Sequence, residues 1–542
     1  MELLNIIFLM LLAVGMTRIL GNILPIPLPL IQIAMGALIA IPSFGVRMEM
    51  DPEIFMVLFI PILLFADAYK IPKTSFIRNS TPILTMAFGM VVVLVVVIGY
   101  LINYLLPAIP LAACFALAAV LSPTDAVAVS AIAHGRLPEK LSLLLAGESM
   151  VNDASGLTCF QLAMIATMTG VFSIYSATWS FVSVALGGVV VGVVIAWLVG
   201  KTKVIMSDRG LSDPVTPVVI MLLIPFVSFV TAEHLGVSGI LAAVAAGWVK
   251  SRAEMQPKNI KTRMMSRSIW TVLEDIFSAC CFIMLGNQLP EIINGVRSHS
   301  LSTSLDSTWL ILDVVIITAA LLLMRFFWIF GYKKIAAMIS RKRGKVAVPE
   351  QDGWVSALMA VSGVRGAITL AAVLSVPLFI GDKPFPGRDV MIFTAMGVII
   401  LTLVIASVGI PLLLRFVAGD EEQTKSKEML MARISSSDAA IRFLEEWEHT
   451  HAVGKDACEA ALMAEVVARI MGDYRQDVDA LDSAEDVRKR AQAMETLERD
   501  LRLKAIQVQR KELLRLRRKR QLDDEAMSQM NKDLDYNEAA LA

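Results

Sequence analysis

Long uncharged apolar runs follow one another from the first residues of this chain to about Arg415, and charged residues of both signs crowd the remainder. A helix of about 20 apolar residues is long enough to cross the hydrocarbon core of a bilayer. Of the 542 residues, 56% are apolar, more than the core of a soluble protein of this length requires. The sequence therefore predicts a membrane part, residues 1–417, and a cytoplasmic C-terminal helical tail, residues 418–542.

About thirteen apolar segments in the membrane part are candidates for spanning helices. A helix is expected in each because it satisfies its own backbone hydrogen bonds, which lipid cannot do. We therefore predict an all-α polytopic membrane protein of about 13 transmembrane helices. The segments are residues 4–22, 26–44, 53–69, 81–105, 110–134, 139–168, 178–200, 213–233, 235–250, 268–290, 307–332, 353–380 and 389–417.

Positive charges alternate between the connections that join these segments. Lys and Arg are concentrated in every second connection, and the other connections hold only Arg47, Arg297, Lys383 and Arg388. Because Lys and Arg accumulate on the cytoplasmic side, this alternation predicts an N-terminus outside and a tail in the cytoplasm. The formal net charge of zero gives no electrostatic reason to expect nucleic acid as a partner.

Ionisable residues inside the apolar segments are candidates for function, because a charge within a bilayer is costly. The densest cluster lies in two neighbouring segments, LSPTDAVAVS at 121–130 and LAGESMVNDASG at 145–156. Such a concentration favours a path for ions or protons over a passive helical bundle. The ionisable residues inside the apolar segments, counted over the whole membrane part, are Asp67, Asp125, Glu148, Asp153, Asp313, Arg325 and Arg365.

The two clustered segments carry oxygen ligands suited to a small cation. Pro123 lacks a backbone donor and is expected to break its helix in mid-membrane, which exposes carbonyl oxygens. Ser149, Asn152 and Asp153 are spaced i, i+3 and i+4, on one face of the next helix. Hard oxygen ligands suit Na⁺, and a buried carboxylate can hold a proton instead. The alternative is that Asp153 only bonds to a neighbouring helix.

Glu148 points away from Asp153 on the same helix and requires a cation of its own. We predict Arg365 as its partner, because Gly363 and Gly366 allow that segment to approach another helix closely. If spans one to six and eight to thirteen are inverted repeats, SPTD and GVRGAIT are the broken helices of the two copies. Arg325 has no assigned role.

The segments GESMVNDASG, SPTDAVAV, FIPILLFAD and SGVRGAITLA together resemble the bacterial monovalent cation:proton antiporter family, the NhaP and NHE-like sodium/proton exchangers. The resemblance implies an antiporter fold in which a core domain moves against a dimerisation domain of a homodimer. It also implies that Glu148 and Arg365 form the family's structural ion pair. The ion-binding set that it implies, with Asp153 carrying the ion or proton, is Asp153, Asn152, Ser149, Thr124, Asp125 and Asp67, of which Asp153, Ser149 and Thr124 would coordinate the metal cation.

The implied function is exchange of a monovalent cation, Na⁺ foremost, for H⁺ across the bacterial inner membrane, supporting pH and sodium homeostasis. One carboxylate beside the neutral Asn152 suggests an electroneutral exchange. No cofactor is expected. A metal site at His449 and His451 is not expected either, because the two side chains would leave a helix on different faces. The alternatives are a K⁺/H⁺ exchanger or cation channel on the same fold, a membrane sensor with cytoplasmic output, and an intramembrane hydrolase.

Overall fold

The computed structural model describes two compact units, Met1–Ala418 and Gly419–Ala542. Arg47, one of the four basic residues in the sparse connections, lies outside the described residues. The described residues are 2–24, 26–40, 52–170, 174–208, 215–253, 260–302, 307–342, 353–380, 383–417, 421–452, 457–482, 485–519 and 524–541.

Helices dominate the described residues of the first unit, and a π-helical segment, Thr85–Met90, joins α5 to α6. One antiparallel ladder pairs β1 (Phe379–Ile380) with β2 (Lys383–Pro384). The helices are α1 (Glu2–Ile23), α2 (Leu28–Ile39), α3 (Pro52–Lys70), α4 (Lys73–Arg78), α5 (Ser80–Leu84), α6 (Val91–Leu105), α7 (Leu111–Val120), α8 (Ala126–Ala133), α9 (Glu139–Thr169), α10 (Ile174–Asp208), α11 (Thr216–His234), α12 (Gly239–Ala253), α13 (Ile260–Ser302), α14 (Ser307–Lys342), α15 (Gly353–Val361), α16 (Ala367–Leu374) and α17 (Arg388–Val417).

Each apolar segment of the sequence coincides with one helix or with a pair of consecutive helices, so the predicted all-α architecture is confirmed. Among the described residues, six helical stretches are long and apolar enough to cross a membrane, judged by length and composition. The total of thirteen, the inverted repeats and the orientation of the termini stay predictions. The six stretches are Ile6–Ile23, Ser80–Leu105, Ser183–Thr202, Ser268–Pro290, Trp309–Ile335 and Arg388–Val417.

Two of the apolar segments are broken helices. Residues 121–125 separate α7 from α8, as the proline at position 123 predicted, and residues 362–366 separate α15 from α16. Non-helical backbone at this depth requires a protein environment, and both breaks have one. Leu121, Val364 and Ala367 are at most 4% exposed, and most residues of α7 and α16 beside the breaks are buried as well. The breaks therefore lie in the interior of the first unit.

Helix α13 is held against α2 by a close backbone contact. A Cβ atom added at Gly36 would lie 1.9 Å from the Ile283 carbonyl oxygen, and one added at Gly286 would lie 1.9 Å from the Ile33 carbonyl oxygen. Only glycine fits at both positions, which is the small-residue packing expected between membrane helices. This contact fixes α13, one wall of the site described below.

The second unit is also helical where the structure describes it. Helix α18 packs against α19, and α20 packs against α21. Apolar residues spaced along these helices, such as Val467 on α19 and Ile506 on α20, are buried. Arg510 of α20 forms ion pairs with Asp535, at 2.6 Å, and with Glu538. The helices are α18 (Glu421–Ala452), α19 (Ala457–Asp482), α20 (Glu485–Arg518) and α21 (Asp524–Leu541).

Candidate ion-binding site

A small, partly open cavity lies where α3, α9 and α13 meet the two helix breaks. Five of the six residues expected to bind the ion line it, and the sixth, Asn152, is hydrogen-bonded to one of them. Three further polar residues of the wall, Glu274, Ser278 and Thr369, were not expected. The five predicted residues in the wall are Asp67, Thr124, Asp125, Ser149 and Asp153.

Thr124 is the point where α9 contacts the first break. The Ser149 hydroxyl donates to the Thr124 carbonyl oxygen at 2.6 Å, and the Asn152 amide donates to the Thr124 hydroxyl at 2.9 Å. The Thr124 backbone N–H bonds to the Asp153 carboxylate. One turn of α9 is therefore fixed against the break by three hydrogen bonds, and its polar face turns toward the cavity.

Two acceptor oxygens on this face lack a partner. The Oδ1 atoms of Asn152 and Asp153 are buried and make no hydrogen bond within the described part of the chain. The residues themselves are 0% and 1% exposed. A buried polar atom normally has a partner, and one without a partner requires a functional reason. A cation or a proton bound at Asp153 would satisfy its free oxygen.

Asp125 binds the beginnings of both half-helices that leave the breaks. As the N-cap of α8 it accepts from the Ala128 N–H at 2.8 Å and from the Val127 N–H, and it also accepts from Ala367, the first residue of α16. Its own N–H donates to the Val364 carbonyl at 2.8 Å. A negative charge is stabilising at the positive, N-terminal end of a helix, and the Asp125 carboxylate lies at that end of both α8 and α16.

Arg365 binds the ends of the half-helices that enter the breaks. Its Nε donates to the carbonyl of Leu121, the C-cap of α7, at 2.9 Å, and its Nη1 donates to the Gly363 carbonyl after α15. The side chain is buried, with 1% exposure. A cation is favourable at the C-terminus of a helix, as an anion is at the N-terminus. The two breaks, residues 121–125 and 362–366, meet at a place that we call the crossing. Arg365 compensates the helix C-termini there, and Asp125 compensates the helix N-termini.

The predicted ion pair between Glu148 and Arg365 is wrong, because the partner of Glu148 is Arg325 of α14. Arg325 Nη2 lies 2.7 Å from Glu148 Oε2, Nη1 contacts Oε1, and Nε donates to the Met359 carbonyl at 2.9 Å. The two side chains are 1% and 0% exposed. The carbonyls at the breaks bind the guanidinium of Arg365, which leaves the carboxylate to Arg325.

Sequence reasoning missed Glu274, a carboxylate in the cavity wall. Glu274 of α13 is 5% exposed and forms an ion pair with Lys70, the last residue of α3. Both lie near the ends of predicted spans. Charged residues are common there, so their presence does not by itself indicate a functional site. The available signal was Ser278, one helical turn after Glu274, which places two oxygen-bearing side chains on one face.

The acidic residues of the cavity do not form a cluster of the kind that holds a resident metal ion. Among the described residues, no group of three or more His, Cys, Asp or Glu side chains converges in that way. The expected ligand set is different, since it joins one carboxylate to hydroxyl and carbonyl oxygens. That set, Asp153 with Ser149 and Thr124, stays a prediction.

Residues 7–416 match the sequence profile of the family described as sodium/hydrogen exchanger, transmembrane. The chain is 40% identical over 552 residues to the uncharacterized Na(+)/H(+) exchanger YjcE of Escherichia coli (strain K12), an alignment covering 100% of this chain and 99% of that protein. It is 39% identical over 418 residues to the sodium, potassium, lithium and rubidium/H(+) antiporter of Bacillus subtilis (strain 168), covering 76% of this chain and 62% of that protein.

The fold resembles that of the sodium proton antiporter MjNhaP1 from Methanocaldococcus jannaschii, with a TM-score of 0.56 over 78% of this chain and 100% of that one. At 17% sequence identity, this likeness concerns the fold alone. The profile match and the E. coli relative extend over the whole membrane part. The chain therefore belongs to the sodium/hydrogen exchanger family, and it is a multi-pass membrane protein that acts as a secondary cation/proton exchanger and not as an enzyme.

Proposed function

We propose that this exchanger moves Na⁺ in one direction and H⁺ in the other, and that Asp153 carries either ion in turn. The observation that supports this most directly is the buried Asp153 oxygen without a hydrogen-bond partner, beside the oxygens of Ser149 and Thr124. A carboxylate in such surroundings is unstable as a bare anion. It must bind a cation or a proton, and the two compete for the same oxygen.

The charges around Asp153 support an exchange of one ion for one. Its neighbour Asn152 is neutral, and the charge of Asp125 is compensated by the N-termini of α8 and α16. One titrating carboxylate then carries one positive charge in each direction. Asp67, on the facing helix α3, lies close enough to Asp125 for their charges to interact, and we assign it an attractive role for the incoming cation.

A K⁺/H⁺ exchange at the same site is the second candidate. It is favoured by the Bacillus subtilis relative, whose name includes sodium, potassium, lithium and rubidium. Selectivity between these ions depends on the distances among a few oxygen ligands. Competition between Na⁺, Li⁺ and K⁺ in one transport assay separates the two candidates.

The setting proposed for this activity is a homodimer in the bacterial inner membrane, with the tail in the cytoplasm. Bacterial relatives and the alternation of basic connections support the location and the orientation. The exchange would then couple sodium extrusion to the proton gradient and serve pH and sodium homeostasis. Crosslinking in native membranes tests the dimer, and protease access to the tail in vesicles of known sidedness tests the orientation.

The deciding experiment is an exchange assay in sealed proteoliposomes with an acidic interior and an enclosed pH dye. Na⁺, Li⁺ or K⁺ is added to wild type, to Asp153→Asn and to Asp313→Asn. Asp313 is the matched control, because it is a buried acid of α14 outside the cavity wall. Collapse of the pH gradient with wild type and Asp313→Asn, and none with Asp153→Asn, is the expected result.

Two outcomes of that assay contradict the proposal. Cation-driven proton movement in Asp153→Asn would remove this carboxylate from the exchange. A rate that changes with an imposed membrane potential would contradict the one-for-one stoichiometry, because electroneutral exchange moves no net charge.

A further inference from the structure

The ion pair between Glu274 and Lys70 is a feature of the cavity that the proposed exchange at Asp153 does not use. Glu274 lines the cavity together with Asp67 and Asp153. Its side chain is 6% exposed, whereas the side chain of Lys70 is 38% exposed. The carboxylate is therefore fixed inside the protein, and the ammonium group that pairs with it belongs to a partly exposed side chain.

The two partners differ in how easily they can separate. Lys70 is the last residue of α3, and a lysine carries its charge on a flexible four-carbon stem. Its ammonium group can return to water at modest cost, because more than a third of the side chain is already exposed. The Glu274 carboxylate is buried and cannot move into water, and a buried carboxylate without a counter-ion is strongly unfavourable. When the Lys70 ammonium group leaves, binding of another cation at Glu274 is therefore favourable.

The surroundings of Glu274 provide further oxygen atoms for such a cation. Asp67 and Lys70 are spaced i and i+3 on α3, and the charges of Asp67 and Glu274 interact. Ser278 follows Glu274 by one turn and also lines the cavity. The Thr369 hydroxyl, on the α16 side of the same cavity, is buried and has no hydrogen-bond partner in the described part of the chain. Hydroxyl and carboxylate oxygens are the ligands that alkali cations take.

We propose that Glu274 is a second cation-binding carboxylate of this cavity and that the Lys70 ammonium group is a tethered competitor, which the transported monovalent cation displaces. The inference rests on the proposed exchange at Asp153 and adds a loading site to it. Lys70 carries the same single charge as Na⁺, so the displacement leaves the charge at Glu274 unchanged. The two occupants differ in that the ammonium group is tethered to the chain and donates hydrogen bonds, whereas the free cation is coordinated by oxygen atoms.

A competitor and a structural ion pair predict opposite effects of the same substitution. Removing Lys70 removes the competitor, so Lys70→Gln should lower the KM for Na⁺ on the order of fivefold at unchanged maximal rate, the equivalent of one exposed ion pair. Glu274→Gln should raise the KM by a similar factor, because Asp153 is intact. The double variant should have the KM of Glu274→Gln, since Lys70 competes only through that carboxylate.

The matched control is Asp275→Asn, which removes an acid from the next position of α13. Asp275 pairs with Arg18 of α1 at 2.5 Å and does not line the cavity. Its KM should equal that of wild type. If instead both Lys70→Gln and Glu274→Gln lose maximal rate and the double variant recovers it, the pair is structural and the proposal is overturned. An unchanged KM in Lys70→Gln overturns it as well.

A binding measurement keeps this test independent of exchange. In detergent, the rise in unfolding temperature on replacing choline chloride by NaCl reports Na⁺ binding to the folded protein. In an Asp153→Asn background, a residual Na⁺ effect should persist, increase when Lys70→Gln is added, and vanish when Glu274→Gln is added. No Na⁺ effect in any Asp153→Asn variant overturns the second site. Failure of wild type to exchange ions while these shifts are seen would refute the proposed function alone.

Discussion

The Glu148 carboxylate and the Arg325 guanidinium form a two-point contact between α9 and α14, with Nη2 2.7 Å from Oε2, and both side chains are buried. Removing one partner leaves an unpaired charge in a medium of low polarity. We expect Glu148→Gln or Arg325→Met to lower the free energy of unfolding by about 3–5 kcal/mol each. Unfolding of purified protein in detergent measures this.

The double variant Glu148→Gln/Arg325→Met tests the pairing itself. Its loss should be well below the sum of the two single losses, because neither charge is left unpaired. Combining Glu148→Gln with Arg365→Met is the comparison, and that pair should be closer to additive. Stronger coupling of Glu148 to Arg365 than to Arg325 would contradict the contact.

Gly366→Ala should abolish exchange, because a Cβ at this position would lie 1.9 Å from Asp125 Oδ2. Asp125 cannot move without giving up its hydrogen bonds to α8 and α16. Gly331→Ala is the control on α14, since a Cβ there meets nothing within 4 Å. Exchange assays on equal amounts of reconstituted protein compare the two, and an active Gly366→Ala variant would show that the crossing tolerates a displaced Asp125.

Arg365→Lys keeps the charge at the crossing and loses the planar fork that reaches two carbonyls. The Leu121 carbonyl or the Gly363 carbonyl is then left without its donor. We expect stability to fall by about 1.5–3 kcal/mol, the effect of one hydrogen bond to a charged group, and Arg365→Met to fall further. Equal stability of the Lys and Met variants would mean that the charge itself contributes nothing.

Ser149→Ala should raise the KM for Na⁺ on the order of fivefold, as expected for the loss of one oxygen ligand worth about 1 kcal/mol. Ser155→Ala is the matched control on the same helix. The Ser155 hydroxyl donates to the Ala87 carbonyl at 2.7 Å and does not line the cavity. Sodium titrations of the exchange rate should therefore show a wild-type KM for this variant, and a shift as large as that of Ser149→Ala would assign the effect to packing of α9.

The features that local sequence determines were predicted well. Apolar length identified the helices, and the missing N–H of Pro123 located the first break. Helical spacing put Ser149, Asn152 and Asp153 on one face, and the structure directs that face toward the cavity. Each of these inferences depends on residues within a few positions of one another.

The features that depend on tertiary contacts were not predictable in the same way. Glu148 and Arg325 are 177 residues apart, and a second buried arginine offered an equally good charge. The choice between Arg325 and Arg365 depends on which guanidinium the carbonyls of the breaks engage. Glu274 was missed for a related reason, since its place in the cavity wall follows from the packing of α13 and not from its neighbours in the chain.

The opposite charges of Asp125 and Arg365 balance the helix ends at the crossing without any bound ion. The end that each half-helix presents to the crossing is already matched by a protein group, so under the proposed exchange the charge of the crossing is the same whether Na⁺ or H⁺ occupies Asp153. Exchange of one bound ion for the other then requires no rearrangement of the half-helices. The crossing can therefore keep one structure in both loaded states, and the difference between the two states is confined to Asp153 and the ion that it binds.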